Sequence, residues 1–422
     1  MSNPYDLEVS GPTQRLCLQP DVAGAKNAAM PLLAAASLCE EAVRIKGVPK
    51  ISDIENLLLL LNVVGSEQRW NGNDLVLSFS GNQCCDLPRN LSAKLRGSVY
   101  AAVIPAVKYG RVSFSTIGGD KIAGRSLEPH LRAFAGLGYT IQESAGALSI
   151  ESENGVVASS FCLDDKPGGI TASALALILA ACTTGTSEIT GISWEPEVHE
   201  VAQFLVSLGA KIERYNRSTG ITGPSRLQPS QDWVVSLDRV VWGTYAIAAL
   251  TTGGSVRLPV LPAEEMAPIL DFFVQMGVEV TSEDDQVLIS GRPRQPASIV
   301  CDSFPSFPPD LAPIASVLMS QAPGISTIED RIYPSRYDHI DELKRMGLEA
   351  SFDGGVLRVR GKSRLRGTNV SGSGIRETTA LLLAGLVADG RTEIANAEAI
   401  SRGYPHLVQD LSRDGVKMQI TG

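Results

Sequence analysis

Ala133–Ile141 reads AFAGLGYTI. An apolar segment closes on Leu-Gly, and a stretch of alternating polarity follows. Glycine just past the last helical turn is the expected left-handed stop. The alternation after it suits a half-buried strand. The same arrangement recurs in LLNVVGSE (Leu60–Glu67), FLVSLGAKI (Phe204–Ile212), FFVQMGVEV (Phe272–Val280), ELKRMGLEA (Glu342–Ala350) and DLSRDGVKM (Asp410–Met418). The six glycines are Gly65, Gly138, Gly209, Gly277, Gly347 and Gly415, spaced by 73, 71, 68, 70 and 68 residues.

A second pattern keeps the same period. Small-residue-rich apolar segments run into a turn and then a strand, as in PLLAAASLCEEAVRIKGV (Pro31–Val48), YAAVIPAVKYGRVSFS (Tyr100–Ser115) and LALILAACTTGTSEITGI (Leu175–Ile192). YAIAALTTGGSVRLPVL (Tyr245–Leu261), PIASVLMSQAPGISTIED (Pro313–Asp330) and ALLLAGLVADGRTEIANA (Ala380–Ala397) complete the set. Helices apolar nearly all round are buried. The chain is therefore expected to hold six units, each with a buried helix, a strand, an outer helix and more strand.

That period exceeds the common solenoid repeats, whereas three units make a domain of ordinary size. The expected organisation is an α/β fold of two domains, three repeats in each. The first lobe spans 20–228 and the second spans 1–19 plus 229–422. Their boundary lies near the Pro-, Ser- and Gln-rich stretch TGPSRLQPSQDW (Thr222–Trp233). Two similar lobes are expected to form a ligand cleft.

Composition narrows the function. The 422 residues carry a net charge of −9, which argues against nucleic-acid or polyanion binding. Seven cysteines show no metal-ligand spacing and suit a reducing compartment. The start MSNPYDLEVS lacks a signal-peptide pattern, and no apolar run is long enough to span a membrane, so a cytoplasmic protein is expected. There is no GxGxxG, no Walker loop, no metal cluster and no nucleophilic triad spacing, so neither a metal nor a cofactor is expected. Oligomeric state is not legible.

The candidate chemistry is acid–base work on an anionic substrate. Lys26 and Asn27 open the first buried segment, where free helix N–H groups and a cation together suit a phosphate or carboxylate. Arg96 and Arg376 stand at the starts of other buried segments, and Arg402 lies in AISRGYPHL. Convergent arginines bind such anions bidentately. Asp310 in SFPSFPPDLAPI is either a capping residue or a general base. TIGGDKIAGRS (Thr116–Ser126) puts Asp120 after two glycines and Arg125 five residues on. By itself it reads as a surface turn.

GAKNAAMP, GGDKIAGR, FPPDL, SRYDH, IRETTALLLAG and SRGY occur here in an order that resembles the enolpyruvyl transferases over nearly the whole chain. The resemblance implies a two-domain inside-out α/β barrel. It also implies transfer of the enolpyruvyl group of phosphoenolpyruvate to a hydroxyl of a uridine nucleotide, with release of phosphate. By similarity Lys26, Arg96, Arg125, Arg336, Arg376 and Arg402 bind phosphoenolpyruvate, and Lys26 and Arg402 also belong to the catalytic set. Asp310 takes the acceptor's proton. Asn27, Tyr100, Arg125, Ser126, Leu127, Glu128, Lys166, Gly168, Gly169, Asp310 and Ile332 contact the acceptor, and Lys50 fills a further basic position. Asp120, on a mobile loop over 116–126, replaces the cysteine most members carry. The resemblance makes it the proton donor, which requires a raised pKa in a closed site.

Several segments depart from the family. RSLEPH (Arg125–His130), KPGGITAS (Lys166–Ser173), Tyr100 and DRVVWGTY (Asp238–Tyr245) differ where the acceptor is held. The expected acceptor is UDP-N-acetylglucosamine, in the first committed step of peptidoglycan synthesis. The alternative is the 3′-hydroxyl of UMP, in nucleoside-antibiotic biosynthesis. A silent nucleotide-binding relative is a third reading, opposed by the joint presence of Lys26, Asp120, Arg125, Asp310 and Arg402.

Overall fold

The computed structural model describes residues 5–81, 84–120, 126–144, 146–164 and 169–421. They fall into two compact units. One takes in the residues up to Ala23 and from Leu237 on, and the other takes in those between Gly24 and Ser236.

The stop glycines behave as their sequence context requires. Gly65, Gly138, Gly209, Gly277, Gly347 and Gly415 all have φ between +72° and +108°, a region a Cβ disfavours. Before them lie the outer helices Ser52–Val63, Glu128–Gly136, Pro196–Ser207, Ala263–Gln275, His339–Arg345 and Leu407–Arg413. These bury one stripe only. In Ala263–Gln275 that stripe is Met266, Ile269, Phe272 and Phe273.

The Ala-rich segments form the centre. In the unit that contains Leu237–Gly422 the helices Arg239–Thr252, Ala312–Gln321 and Ile375–Val387 pack against one another. In the other unit the Lys26–Ala36 helix, the Arg96–Tyr109 helical stretch and the Ile170–Ala180 helix do the same. Each set lies within a single apolar core belonging to its own unit. Ala and Gly on these helices allow close approach. Gly243 packs on Leu311, and a Cβ there would lie 2.6 Å from a leucine methyl.

Each repeat contributes to a small sheet. In the third, fourth and fifth repeats the strand after the central helix pairs in parallel with a strand earlier in the chain, and antiparallel with one arm of a hairpin. In the fifth repeat Gly324–Asp330 lies between Ser298–Cys301 and Val356–Gly361, with Glu349–Asp353 outermost. In the second repeat the parallel edge shrinks to a bridge between Asp86 and Ser113.

Two sheets are closed by distant chain. The Cys17–Leu18 strand pairs with Ser255–Val256 of the fourth repeat, and Trp233–Val234 pairs with Ile45–Lys46 of the first. Among the described residues the chain passes from one unit to the other after each of these strands. The division therefore lies at 23/24 and 236/237, a few residues past the expected 19/20 and 228/229. The Asp6–Gly11 strand fills the centre of the sixth sheet, between Gly390–Ala395 and Lys417–Thr421.

Candidate active site

In the unit that contains Leu237–Gly422, the expected residues Asp310, Arg336 and Arg376 meet. Asp310 sits in the Pro309–Leu311 turn that leads into the Ala312–Gln321 helix, and Arg376 is the second residue of Ile375–Val387. Packing of these two central helices brings their starts together. Asp310 Oδ1 accepts from Arg336 Nη1 at 2.6 Å, and Oδ2 accepts from Arg376 Nε and Nη2 at 3.2 Å each. Arg336 Nε also donates to Glu377 Oε1 at 2.8 Å. The Arg376 guanidinium lies 5.1 Å from the centre of the Tyr404 ring, a cation–π contact.

Both arginines are buried, Arg376 to 2 % exposure. Burial works to lower the pKa of each. For Arg336 the charges of Asp310 and Glu377 outweigh it, and for Arg376 Tyr404, Asp310 and Asp238 do so, so both stay above their ordinary value. Burial raises the Asp330 carboxyl, although it accepts from the N–H groups of Ile332 and Tyr333. Arg402 ends the Ala397–Arg402 turn just ahead of Tyr404.

His339 is fully buried beside this cluster. Burial first, and then the Arg336 charge, push its pKa down to about 3. An unfolded histidine takes a proton near 6.5, so between these values the unfolded chain binds one more proton than the folded one. The protein should lose stability as pH falls through that window, by about 1.4 kcal/mol per pH unit for this one group. His339→Gln is expected to remove that share of the slope in urea unfolding measured between pH 4.5 and 6.5. An unchanged slope contradicts the assignment.

In the other unit, Lys26 begins its helix with only 8 % exposure and pairs with Asp53 at 3.2 Å. Neither that helix start nor those of Arg96–Ala102, Ile170–Ala180, Ala312–Gln321 and Ile375–Val387 has a side-chain cap. Only the Arg239–Thr252 helix is capped among the six, by Asp238 accepting from Val240 and Val241. Asn27 follows Lys26 on the same helix and is half-buried. Lys50 is exposed and donates to Asn73 Oδ1 on a surface hairpin.

Arg96 Nη2 donates to the Ser126 carbonyl, which joins an expected phosphoenolpyruvate ligand to the expected acceptor segment. Ser126 Oγ in turn accepts from Glu128 N at 3.0 Å, next to Leu127, and so steadies the start of the Glu128–Gly136 helix. Tyr100 lies in the apolar core, and Gly169 caps the Ile170–Ala180 helix. Arg125, Lys166 and Gly168 lie outside the described residues.

The glycines before Asp120 have a structural duty. Gly118 N donates to the Ser92 carbonyl, and a Cβ on Gly118 would lie 1.9 Å from the Ala93 oxygen. Gly119 has φ +106°, and a Cβ on it would lie 2.9 Å from Arg96 N and Cβ. The pair packs on the 92–96 backbone immediately before Asp120.

A family model described as EPSP synthase (3-phosphoshikimate 1-carboxyvinyltransferase) matches residues 13–411. The chain belongs to this enolpyruvyl transferase family. It is an enzyme of the carboxyvinyl transferase class. The UDP-N-acetylglucosamine 1-carboxyvinyltransferase of Chlorobium phaeovibrioides is 33% identical over 399 residues, which is 94% of each chain. UDP-N-acetylglucosamine 1-carboxyvinyltransferase 2 of Geobacillus kaustophilus is 33% identical over 397 residues, 93% of this chain and 92% of that one. The crystal structure of the enolpyruvyl transferase NikO from Streptomyces tendae has the same fold, with a TM-score of 0.89 over 99% of both chains at 24% identity. EPSP synthase from Acinetobacter baumannii shares the fold more distantly, with a TM-score of 0.77 over 99% of this chain and 100% of that one at 15% identity.

Two members of the transferase's charged clusters escaped the sequence. Asp53 sits in SDIEN, a run that looks like an ordinary acidic first turn, and Glu377 sits beside Arg376 in what looks like a plain apolar helix start. A cavity of about 550 Å³ in the unit that contains Leu237–Gly422 is lined by Cys17, Asp21, His406, Asp410 and Asp414 among others, and by none of the expected site residues. Its acidic wall is wrong for a phosphorylated substrate. Among the described residues no group of His, Cys, Asp or Glu is placed to hold a metal ion, and no helix is long and apolar enough to cross a membrane.

Proposed function

We propose that the protein transfers the enolpyruvyl group of phosphoenolpyruvate to a hydroxyl of UDP-N-acetylglucosamine. The observation that carries this is similarity along almost the whole chain to carboxyvinyltransferases of that name. Asp310 acts as general base. The acceptor oxygen loses its proton to Asp310 and bonds to C2 of phosphoenolpyruvate, while Asp120 gives a proton to C3. The tetrahedral ketal then breaks its bond to the phosphate oxygen, C3 returns a proton, and the vinyl ether and inorganic phosphate leave.

Lys26, Arg96, Arg125, Arg336, Arg376 and Arg402 are the cations assigned to the phosphate and carboxylate. Such groups also stabilise charge that develops in the transition state. The buried charges around Asp310 and the uncapped helix starts support this assignment. Asn27, Ser126, Leu127, Glu128, Lys166, Gly168, Gly169 and Ile332 are assigned to the acceptor. Tyr100 keeps that assignment in our reading. None of the seven cysteines is in a disulfide, which suits a cytoplasmic enzyme.

A second acceptor, UMP, is favoured by the altered KPGGITAS segment (Lys166–Ser173), since an acceptor without a diphosphate sugar needs no diphosphate loop. Phosphate release is measured with phosphoenolpyruvate and either UDP-N-acetylglucosamine or UMP. Release with the first alone supports our reading, release with UMP alone replaces it, and release with neither refutes both.

Asp120 leads to a further expected outcome. Fosfomycin inactivates cysteine-bearing relatives by forming a thioether, a bond no carboxylate makes. Turnover should persist in fosfomycin and the intact protein mass should be unchanged. Labelling at residue 120 would overturn this.

A further inference from the structure

Asp310 carries a burden that its two arginines alone would make too heavy. Both of its oxygens are gripped by buried guanidinium groups, Oδ1 by Arg336 and Oδ2 by Arg376. Nearby cations favour the charged form of a carboxyl and make it a weaker base. Arg336 turns its Nε to Glu377, at 2.8 Å, and the Glu377 side chain is only 7 % exposed. The second oxygen of that carboxylate, Oε2, is shut off from solvent and has no hydrogen-bond partner among the described residues.

A buried, half-satisfied carboxylate is costly, and an apolar side chain would fill such a place at less cost. Its charge therefore has a use. Two arginines and Asp310 leave a net charge of +1, and Glu377 brings the group to neutrality.

We propose that Glu377 is a positioning residue for the transfer reaction: it anchors Arg336 through Nε, turns Nη1 toward Asp310, and supplies the negative charge that keeps Asp310 basic. This rests on Asp310 being the general base. Other titratable groups face the cluster. His339, Tyr337, Cys301 and Asp330 lie on the Arg336 side, and Tyr404 and Asp238 lie toward Arg376. Arg239 and Arg402 lie on packed neighbouring elements. His339 is neutral well above pH 3, and burial raises Tyr337, Cys301 and Tyr404. Asp330, also raised by burial, is the carboxyl to control for.

The test is kcat against pH for the full-length chain, with phosphoenolpyruvate and whichever acceptor releases phosphate. Glu377→Gln keeps the shape and the acceptor for Arg336 Nε but removes the charge. Its plateau kcat should fall about tenfold, as expected for a weakened base, and its acid limb should move to lower pH. A merely structural role would lower stability and leave that limb in place. Asp330→Asn should leave the limb unmoved.

Wild-type kcat and an unmoved limb in Glu377→Gln overturn the proposal, as does an Asp330→Asn limb that moves in the same way. Should Glu377→Gln fail to fold, the Arg336→Gln/Glu377→Gln pair carries the test, because it removes equal and opposite charges. Its limb should stay at the wild-type position while Arg336→Gln alone moves the limb to higher pH, and any other order overturns the proposal. Full activity in Asp310→Asn would instead remove the general-base reading. Loss in Asp310→Asn with a silent Glu377→Gln removes this inference alone.

Discussion

Asp310→Asn is expected to lose between about 10² and 10⁴ of its turnover, the usual contribution of a positioned general base. Asparagine fits the same space, but its single oxygen accepts from one arginine while its amide NH2 meets the other donor to donor, and it does not take the acceptor's proton. Two buried guanidinium groups would then lose the carboxylate they share, so stability should fall as well. Activity must therefore be compared at a temperature where circular dichroism shows both proteins folded. Phosphate release at saturating phosphoenolpyruvate and acceptor reads the chemical step. A folded Asp310→Asn protein with the wild-type rate would sink the assignment.

The second large effect is on stability, and it lies far along the chain from Asp310. Val9→Asp is expected to destabilise by at least about 4 kcal/mol, because it buries a charge with no partner. Val9 is fully buried in the Asp6–Gly11 strand, paired with Thr392 on one side and Met418 on the other. It also touches Gly385 of the Ile375–Val387 helix, where a Cβ would already lie 3.3 Å from the Val9 Cβ. Val9→Ala removes only packing and should cost about 2 kcal/mol. Urea unfolding of both variants checks this, and a Val9→Asp midpoint equal to the wild type would contradict it.

What was legible in the sequence is what local physics controls. The six glycine stops take positive φ because each follows a helix end, and that is visible within nine residues such as Ala133–Ile141. The Ala-rich segments are buried all round because their composition leaves them no polar face. Asp310, Arg336 and Arg376 could each be nominated from motifs.

Their mutual geometry could not. Arg336 and Asp310 are 26 residues apart, and Arg376 and Asp310 are 66 apart. No short-range signal pairs them. Glu377 was invisible because its partner comes from a different element, and Asp53 because an acidic first turn already explains it. The role of the two glycines before Asp120 was not legible in the sequence for a related reason. Glycine allows both freedom and close approach, and only the neighbouring 92–96 backbone decides between them.

The sequence by itself therefore determined six repeats, an α/β architecture and buried central helices, and it nominated a set of cations. Periodicity, backbone conformation and side-chain charge are properties of short segments, so they survive in a linear reading. Tertiary structure alone decided that Asp6–Gly11 completes the sixth sheet, that Cys17–Leu18 and Trp233–Val234 close sheets begun elsewhere, and that a second carboxylate balances the arginines around Asp310. Strand pairing and buried charge compensation depend on which segments meet in space, and that is settled only when the cores close.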